Sequence, residues 1–348
     1  MSKQTFHGLH LFSSGLDSIV SAKVLQAQGL RMLCLHLCTP FFGKPEQVPL
    51  WTARYNLNIE AVDISGPYIE MLRQRPRHGF GKHLNPCIDC KILMLSLVKD
   101  FLPKYQASFI SSGEVLGQRP MSQRRDAMNI VSRDSGTREL LLRPLCALKL
   151  PPTPMELSGL VKREGLYGIT GRGRKGQLEL AASFGIKDPP SPAGGCLLTE
   201  MESARRYWPL LARLKLSVAD DFRLANVGRQ YWSEAIWLTV GRDQSDNEAI
   251  AALKRPDDFL FRLADFPGPL ALGRGKGWNG ERLHAAAAVT AWFSPKARAA
   301  GGEVVVEIQA PQEELKLMAR PHLPPEALGW LDPTWDEAAL ELKSGRSS

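Results

Sequence analysis

The chain has no apolar run long enough to cross a bilayer, which excludes a helical membrane span. Its first residues, MSKQTFHGLHLF, offer no signal-peptide apolar region followed by a small-residue cleavage site, so the expected location is cytoplasmic. Cysteine is scarce, six in 348 residues, and in a cytosolic chain of this size that excludes a disulfide framework. Neither an internal repeat nor a low-complexity segment is evident, which leaves compact domains as the expectation. Acidic side chains are outnumbered, 36 Asp and Glu against 44 Lys and Arg, for a net charge of +8. That balance favours a polyanionic partner such as nucleic acid, although a merely basic cytosolic protein would carry it too.

What is present is ample apolar material, 44% of the chain, and a length that predicts two domains, with three within reach. The most informative stretch is Ser13-Ser14-Gly15-Leu16-Asp17-Ser18. It follows a short apolar run and precedes an amphipathic one, so it reads as strand, small-residue turn, helix. Such a turn presents backbone N–H groups and hydroxyls at a helix N-terminus, where the dipole favours a phosphate or pyrophosphate. A Ser-rich helix cap is the plainer alternative. The turn holds no Lys, so it is not a Walker-type loop.

Strand-like runs at 7–12, 32–37, 59–64, 109–112 and 140–143 alternate with helix-like runs at 19–28, 48–55, 92–101 and 155–164. This alternation predicts an α/β fold, a doubly wound parallel sheet covered on both faces, with a second, smaller α+β domain after it. Ligands in such sheets bind at the carboxyl ends of the strands, near the topological switch point. Both residues 13–18 and residues 113–123 follow strand-like runs, and Arg143-Pro144-Leu145 puts a cation at a third strand end. In the second of these loops Gly113 serves the turn, while Gln118 and Gln123 offer polar groups to a nucleotide. A run at 204–214 reads as the helix closing this domain, and residues 187–195 as an active-site loop.

The cysteines divide into two kinds. Cys34 and Cys38 flank an apolar strand-like run and Cys146 follows Arg143-Pro144-Leu145, so these three read as structural. Cys87 and Cys90 form Asn85-Pro86-Cys87-Ile88-Asp89-Cys90 just before a helix-like run, and Cys196 sits in Pro192-Ala193-Gly194-Gly195-Cys196. Three chemistries compete for them. They are a redox pair activated at a helix N-terminus, part of a zinc site that still lacks a fourth ligand, or three ligands of an iron–sulfur cluster with one iron open. Spacing alone does not choose. His78 and His83 flank the Cys-x-x-Cys and read as surface or supporting residues rather than ligands. Gly171-Arg172-Gly173-Arg174-Lys175-Gly176 imitates a Walker loop without its Lys in place and reads as a basic surface turn.

Taken together, these motifs resemble a known family. The 13–18 turn is similar to the signature loop of the ATP-pyrophosphatase (PP-loop) superfamily, with Ser14 where glycine is usual. Gly113-Glu114-Val115-Leu116-Gly117-Gln118 with Ser122-Gln123, followed by Arg143-Pro144-Leu145, resembles the catalytic domain of tRNA 4-thiouridine synthetases. The placements of Cys87, Cys90 and Cys196 resemble the three cluster ligands of iron–sulfur-dependent tRNA thiolation enzymes. The resemblance covers roughly the first two hundred residues, and lacks a recognisable THUMP-type region or rhodanese-type sulfur carrier. A second resemblance, over about residues 215–310, is to the RNA-binding domain of NFACT-type proteins of ribosome quality control. It is carried by Val218-Ala219-Asp220-Asp221-Phe222-Arg223, Leu238-Thr239-Val240-Gly241-Arg242-Asp243 and the Ala-rich run at 285–300. There Arg229, Arg242, Lys254, Arg255, Arg262, Arg274, Lys276, Lys296 and Arg298 interleave with Tyr231, Trp232 and Trp278. Cations neutralise phosphates and flat rings stack on bases, though some of these rings belong in a core.

The resemblances imply a thiolation domain at 1–212, an RNA-binding domain at 213–320 and a tail at 321–348. They imply an ATP-dependent tRNA sulfurtransferase in which ATP, with Mg²⁺, is bound by Ser13, Ser14, Gly15, Asp17, Ser18, Gly113, Gln118, Gln123 and Arg143. Asp17, Cys87, Cys90 and Cys196 carry the chemistry, and the three thiols hold a [4Fe-4S] cluster whose fourth iron takes hydrosulfide. The implied partners are tRNA and sulfide or a sulfur-donor protein, with no membrane, and a homodimer is compatible with them. Two other readings stand beside this one: a non-catalytic nucleotide-sensing RNA- or ribosome-binding factor, and a PP-loop tRNA-modifying ligase with structural zinc.

Overall fold

The computed structural model describes residues 5–190, 195–214 and 217–335. These fall into two compact units that part at Thr199 and Glu200, ahead of the expected limit at 212. Part of the expected 187–195 loop, residues 191–194, lies outside the described residues, as does the chain beyond 335.

The first unit is built on five parallel strands, β1 Gly8–Leu11, β2 Met32–Cys38, β3 Asn58–Asp63, β4 Phe109–Ser112 and β5 Leu141–Leu142. Their order is β3-β2-β1-β4-β5, with β1 in register between β2 and β4. Every residue of β1, β2 and β4 is buried, as befits strands covered on both faces. β3 lies at an edge and mixes exposed with half-buried positions. Because the chain builds β2 and β3 on one side of β1 and β4 and β5 on the other, the switch point falls between β1 and β4. The turns after these two strands therefore open into the same crevice.

The helices of this unit are α1 Leu16–Ala27, α2 Val48–Tyr55, α3 Ser65–Arg73, α4 Cys87–Tyr105, α5 Arg125–Asp134, α6 Pro154–Leu157 and α7 Lys175–Ser183. α1 begins inside the Ser-rich turn, and its apolar residues serve two cores. Leu16, Val20 and Val24 pack with Phe109, Leu142 and Leu180, whereas Ile19 and Ala22 pack with Phe12, Cys34 and Tyr55. α4 starts earlier than the sequence suggested, so the Cys-x-x-Cys forms its first turn rather than preceding it. The helix expected at 155–164 is only α6, because Gly159 takes φ +76° and ends it; a short 3-10 turn follows at Arg163–Gly165.

The second unit opens with α8 Met201–Arg213, which packs on α9 Ala219–Ala225 through Tyr207 and Phe222, ring centroids 5.7 Å apart. The helix expected to close the first domain thus belongs here. A six-stranded antiparallel sheet follows, built from β6 Arg229–Ser233, β7 Ile236–Val240, β8 Phe259–Leu263, β9 Ala271–Gly275, β10 Val304–Gln309 and β11 Glu314–Ala319. Its order is β11-β10-β8-β9-β7-β6. α10 Gln244–Ala252, α11 Gly280–Trp292 and α12 Pro295–Ala299 complete the unit. The small side chains of α11, Ala286, Ala287 and Ala291, let it lie closely on Leu238, Phe261, Val306 and Ile308 of the sheet.

Candidate active site and RNA-binding unit

The residues of the Ser-rich turn meet at the start of α1. Ser18 Oγ donates to the Gly15 carbonyl at 2.8 Å and accepts from Ser13 N at 3.2 Å, which draws the turn into a loop. Ser14 takes the left-handed conformation, φ +59°, at the position where the resembling family has glycine. The amides of residues 14–17 find no acceptor among the described residues and stand open at the helix N-terminus. Ser18 itself is buried, not exposed as a phosphate-turn hydroxyl would suggest, and its role is to close the loop. Its carbonyl accepts from Nε2 of His10, whose Nδ1 accepts the Ser111 hydroxyl at 2.8 Å. Complete burial lowers the His10 pKa to about 4, so this imidazole is neutral and ties the turn to β4.

The loop after β4 is pressed against the same turn. A Cβ on Gly113 would lie 2.6 Å from the backbone of Asp17 and Ser18, so only glycine permits the approach. Gln118 Nε2 donates to Asp17 Oδ2 at 2.7 Å, while Asp17 Oδ1 is buried without a partner. Burial raises the Asp17 pKa, against the pull of Gln118, Arg174 and Arg119. Gln123 anchors the loop through its carbonyl, which accepts from Gly117 N at 2.7 Å, and its own Oε1 is unpartnered. Arg143 stands differently from expectation. It is buried, with Nε donating to Glu114 Oε2 at 2.9 Å, so its charge is matched inside the fold instead of being presented to a nucleotide. Glu114 also accepts from Ser112 Oγ, and although burial opposes it, Arg143 and Lys91 hold its pKa below the ordinary value.

Cys87, Cys90 and Cys196 are brought together, and all three are partly accessible. Burial pushes Cys196 up to about 12, and the neighbouring Cys90 and Cys87 add to it; Cys90 is pushed up to about 11, again chiefly by burial. The Tyr68 hydroxyl on α3, buried and without a formed hydrogen bond, lies close enough to all three thiols that they raise its pKa further. Sequence reasoning missed Tyr68 because it missed α3. Cys196 is held through its short 3-10 turn, where Leu197 N donates to Phe41 O and the Thr199 carbonyl accepts from His83 Nδ1 at 2.8 Å. His78 bonds Asp134 instead, at 3.3 Å. Asp89 receives the amides of Arg77 and His78, which fixes the approach to the Cys-x-x-Cys. Cys34, Cys38 and Cys146 are buried in the core, with thiols pushed up to about 12, 11 and 11 by burial.

The thiol site meets the loop after β4, the same loop that is pressed against the nucleotide turn. Asn85 Nδ2 reaches both Cys87 Sγ at 3.3 Å and Met121 Sδ, in the loop after β4, at 3.4 Å. Lys91 is near enough to act on Cys90 on one side and on Glu114 and His10 on the other. No group of three or more His, Cys, Asp or Glu side chains among the described residues forms a ready site for a single metal ion. A cluster asks less of the thiols than a single ion does, because its irons are spread over several ångströms and the ligands need not converge on one point. With an orphaned Tyr68 hydroxyl beside them to donate to sulfur, the three thiols fit such a group.

In the second unit the expected RNA-binding side chains divide. Arg274 is buried and bidentate to Asp258, at 2.9 and 2.6 Å, with a third bond to Asp221 at 2.8 Å; Arg255 meets the same Asp221. Arg242 pairs with Asp246 and Arg262 with Glu307. Arg229 lies over Phe293 and Arg298 over Trp292, while Lys276, Lys296 and Arg298 are exposed. The rings offered for stacking on bases fare otherwise: Tyr231 and Trp232 are buried, and Trp278 packs among Phe259, Phe261 and Trp330. They belong to the core. Residues 229–330 match the NFACT protein RNA binding domain. The match starts later and runs further than the resemblance in the sequence, taking in β11 and Trp330 as well.

No curated protein matches the sequence. Similar solved structures include a predicted subunit of tRNA methyltransferase from Methanocaldococcus jannaschii, at 15% identity and a TM-score of 0.30, covering 39% of this chain and 68% of that one. The C-terminal part of the fibronectin/fibrinogen-binding protein from Streptococcus suis is similar at 14% identity and a TM-score of 0.25, covering 58% and 77%. NMN synthetase from Francisella tularensis is similar at 12% identity and a TM-score of 0.28, covering 55% and 90%. These likenesses are too slight to carry an activity. No helix among the described residues is long and apolar enough to cross a membrane.

Proposed function

We propose that this chain is an ATP-dependent tRNA sulfurtransferase, which adenylates a uridine carbonyl, forming AMP and pyrophosphate, and replaces the oxygen with sulfur. The observation that carries the reading is that one loop, the one after β4, meets both the anion-ready turn, through Gln118 and Asp17, and the three thiols, through Met121 and Asn85.

A uracil carbonyl oxygen is a poor leaving group, and AMP is a good one. The open amides of residues 14–17 and the α1 dipole suit the pyrophosphate end of ATP. Mg²⁺, held by the bare Asp17 Oδ1, would screen the charge that gathers there. Gln118 holds the other carboxylate oxygen and so fixes the direction of Oδ1. Glu114 and Arg143 neutralise one another beneath the site and brace the loop after β4.

Cys87, Cys90 and Cys196 would hold a [4Fe-4S] cluster, which supplies an iron without a protein ligand, open to sulfide. Burial raises Cys90 and Cys196, which disfavours the free thiolate that a persulfide relay would need at either, whereas a metal would deprotonate its thiol ligands outright. The NFACT-type unit suits the task of holding the tRNA.

The test is to incubate anaerobically purified protein with unmodified tRNA, ATP, Mg²⁺ and sulfide. Pyrophosphate release is followed, and the tRNA nucleosides are analysed by mass spectrometry beside iron and sulfide content. A thiouridine product with tRNA-dependent pyrophosphate is expected. Thiolation at full rate by iron-free protein would end the cluster assignment, and absence of pyrophosphate release with every tRNA supplied would end the adenylation.

A further inference from the structure

The basic turn at 171–176 looks in sequence like surface decoration, but the fold pins it beside the nucleotide turn. Thr170 pairs with Leu116 in a parallel bridge, and Gly171 N donates to Leu116 O at 2.8 Å. Beyond it α7 packs on α1, where Leu180 and Ala181 share a core with Leu16 and Val20. Gln177, in the first turn of α7, is fully buried. Its Nε2 donates to Gln118 Oε1 at 3.3 Å, and Gln118 in turn donates to Asp17. Gln177 Oε1 and Asp17 Oδ1 are both buried acceptors without a donor. Two unmet acceptors at the same chain of side chains are costly unless a ligand, or the cation and water it brings, supplies what they lack.

Arg174 stands between the bridge and Gln177, at the start of α7. It is half-buried, and its guanidinium is held by the Pro190 carbonyl at 3.2 Å rather than by a carboxylate. Its charge and that of Arg119 nevertheless reach Asp17 and oppose the effect of burial there. Both arginines lie on segments tied to Asp17 through Gln118: Arg119 follows Gln118 in the chain, and Arg174 precedes Gln177, which donates to Gln118. An arginine fork matches phosphate oxygens in geometry as well as charge. We infer that Arg174 and Arg119 form the outer wall of a polyphosphate subsite, adding their charge to the hold of the 13–18 turn on the pyrophosphate end of ATP.

This subsite rests on the nucleotide reading of the 13–18 turn, and the experiment separates the two. Full-length wild type and Arg174→Ala are titrated calorimetrically with ATP, inorganic pyrophosphate and AMP in the presence of Mg²⁺. Loss of a charge-assisted contact should weaken ATP and pyrophosphate by roughly tenfold or more. AMP, which lacks the terminal phosphates, should change by less than about twofold on the same grounds. Arg174→Lys should recover part of the loss, and Lys175→Ala, the exposed neighbour, should change little. Equal ATP affinity in wild type and Arg174→Ala overturns the subsite, as does an AMP loss as large as the ATP loss. Wild type that binds neither ATP nor pyrophosphate overturns the nucleotide reading itself, and the subsite with it.

Discussion

His10 is the residue through which acid should reach the nucleotide turn. Buried on β1 between Ser111 and the Ser18 carbonyl, it has its pKa lowered to about 4 by loss of solvation, from an ordinary value of about 6.5. The unfolded imidazole therefore takes up a proton near pH 6.5, while the folded one resists until about pH 4. Between those limits the unfolded chain binds more protons, so stability falls as pH falls, by up to about 1.4 kcal/mol per pH unit. Above about pH 6.5 the contribution is complete. From pH 7.5 down to pH 5, His10 alone should remove about 2 kcal/mol. The assay compares urea unfolding of the full chain at both pH values for wild type and His10→Gln. The variant keeps a donor for the Ser18 carbonyl but does not titrate. His36, also lowered by burial, contributes to both proteins and cancels in the difference. Wild type should lose about 2 kcal/mol more than the variant on acidification; an equal loss in both would refute the reasoning.

Three further outcomes are expected. Cys87→Ala, Cys90→Ala and Cys196→Ala should each lose iron and thiolation together, checked by iron analysis and nucleoside mass spectrometry. Cys34→Ala should keep both, at a packing cost of about 1 kcal/mol. Glu114→Gln leaves the buried Arg143 without its counter-charge and should destabilise the chain by about 3 kcal/mol or more in chemical denaturation. Binding of tRNA should weaken steeply with salt, and Lys276→Gln, Lys296→Gln or Arg298→Gln, all exposed, should each flatten the logarithmic salt slope by no more than about one.

The parallel sheet was legible because β1, β2 and β4 are short, largely apolar runs, and β1 and β4 run into turns built from Ser and Gly. What alternation could not show was where polar helices begin. α5, Arg125–Asp134, carries only Ala127, Met128 and Val131 as its buried apolar face, and α7 hides behind the basic turn. The thiols were singled out by the Cys-x-x-Cys and Gly-Gly-Cys placements. Tyr68, which stands among them, had no local signal, since its environment is assembled from α3, α4 and the segment before α8. The misassigned aromatics have a different cause. Tyr231 and Trp232 are consecutive on β6 and point to opposite faces, and both faces are covered. A basic, aromatic strand looks like a binding surface until its neighbours are placed. Arg274 shows the same limit for charge: Asp221 and Asp258, far from it in sequence, neutralise it.

Ser14 bears on how turns of this kind are to be found in other chains. Its backbone sits at φ +59°, a state open to glycine at no cost and to short polar residues at a modest one, but closed to β-branched and bulky ones. The position is therefore a conformational requirement, not a demand for a particular letter. A search pattern written with glycine alone would pass over this chain, whereas one that admits Ser, Asn and Asp there would recover it without admitting Val or Ile. Ser14→Asn should accordingly leave the loop intact, and Ser14→Val should break it.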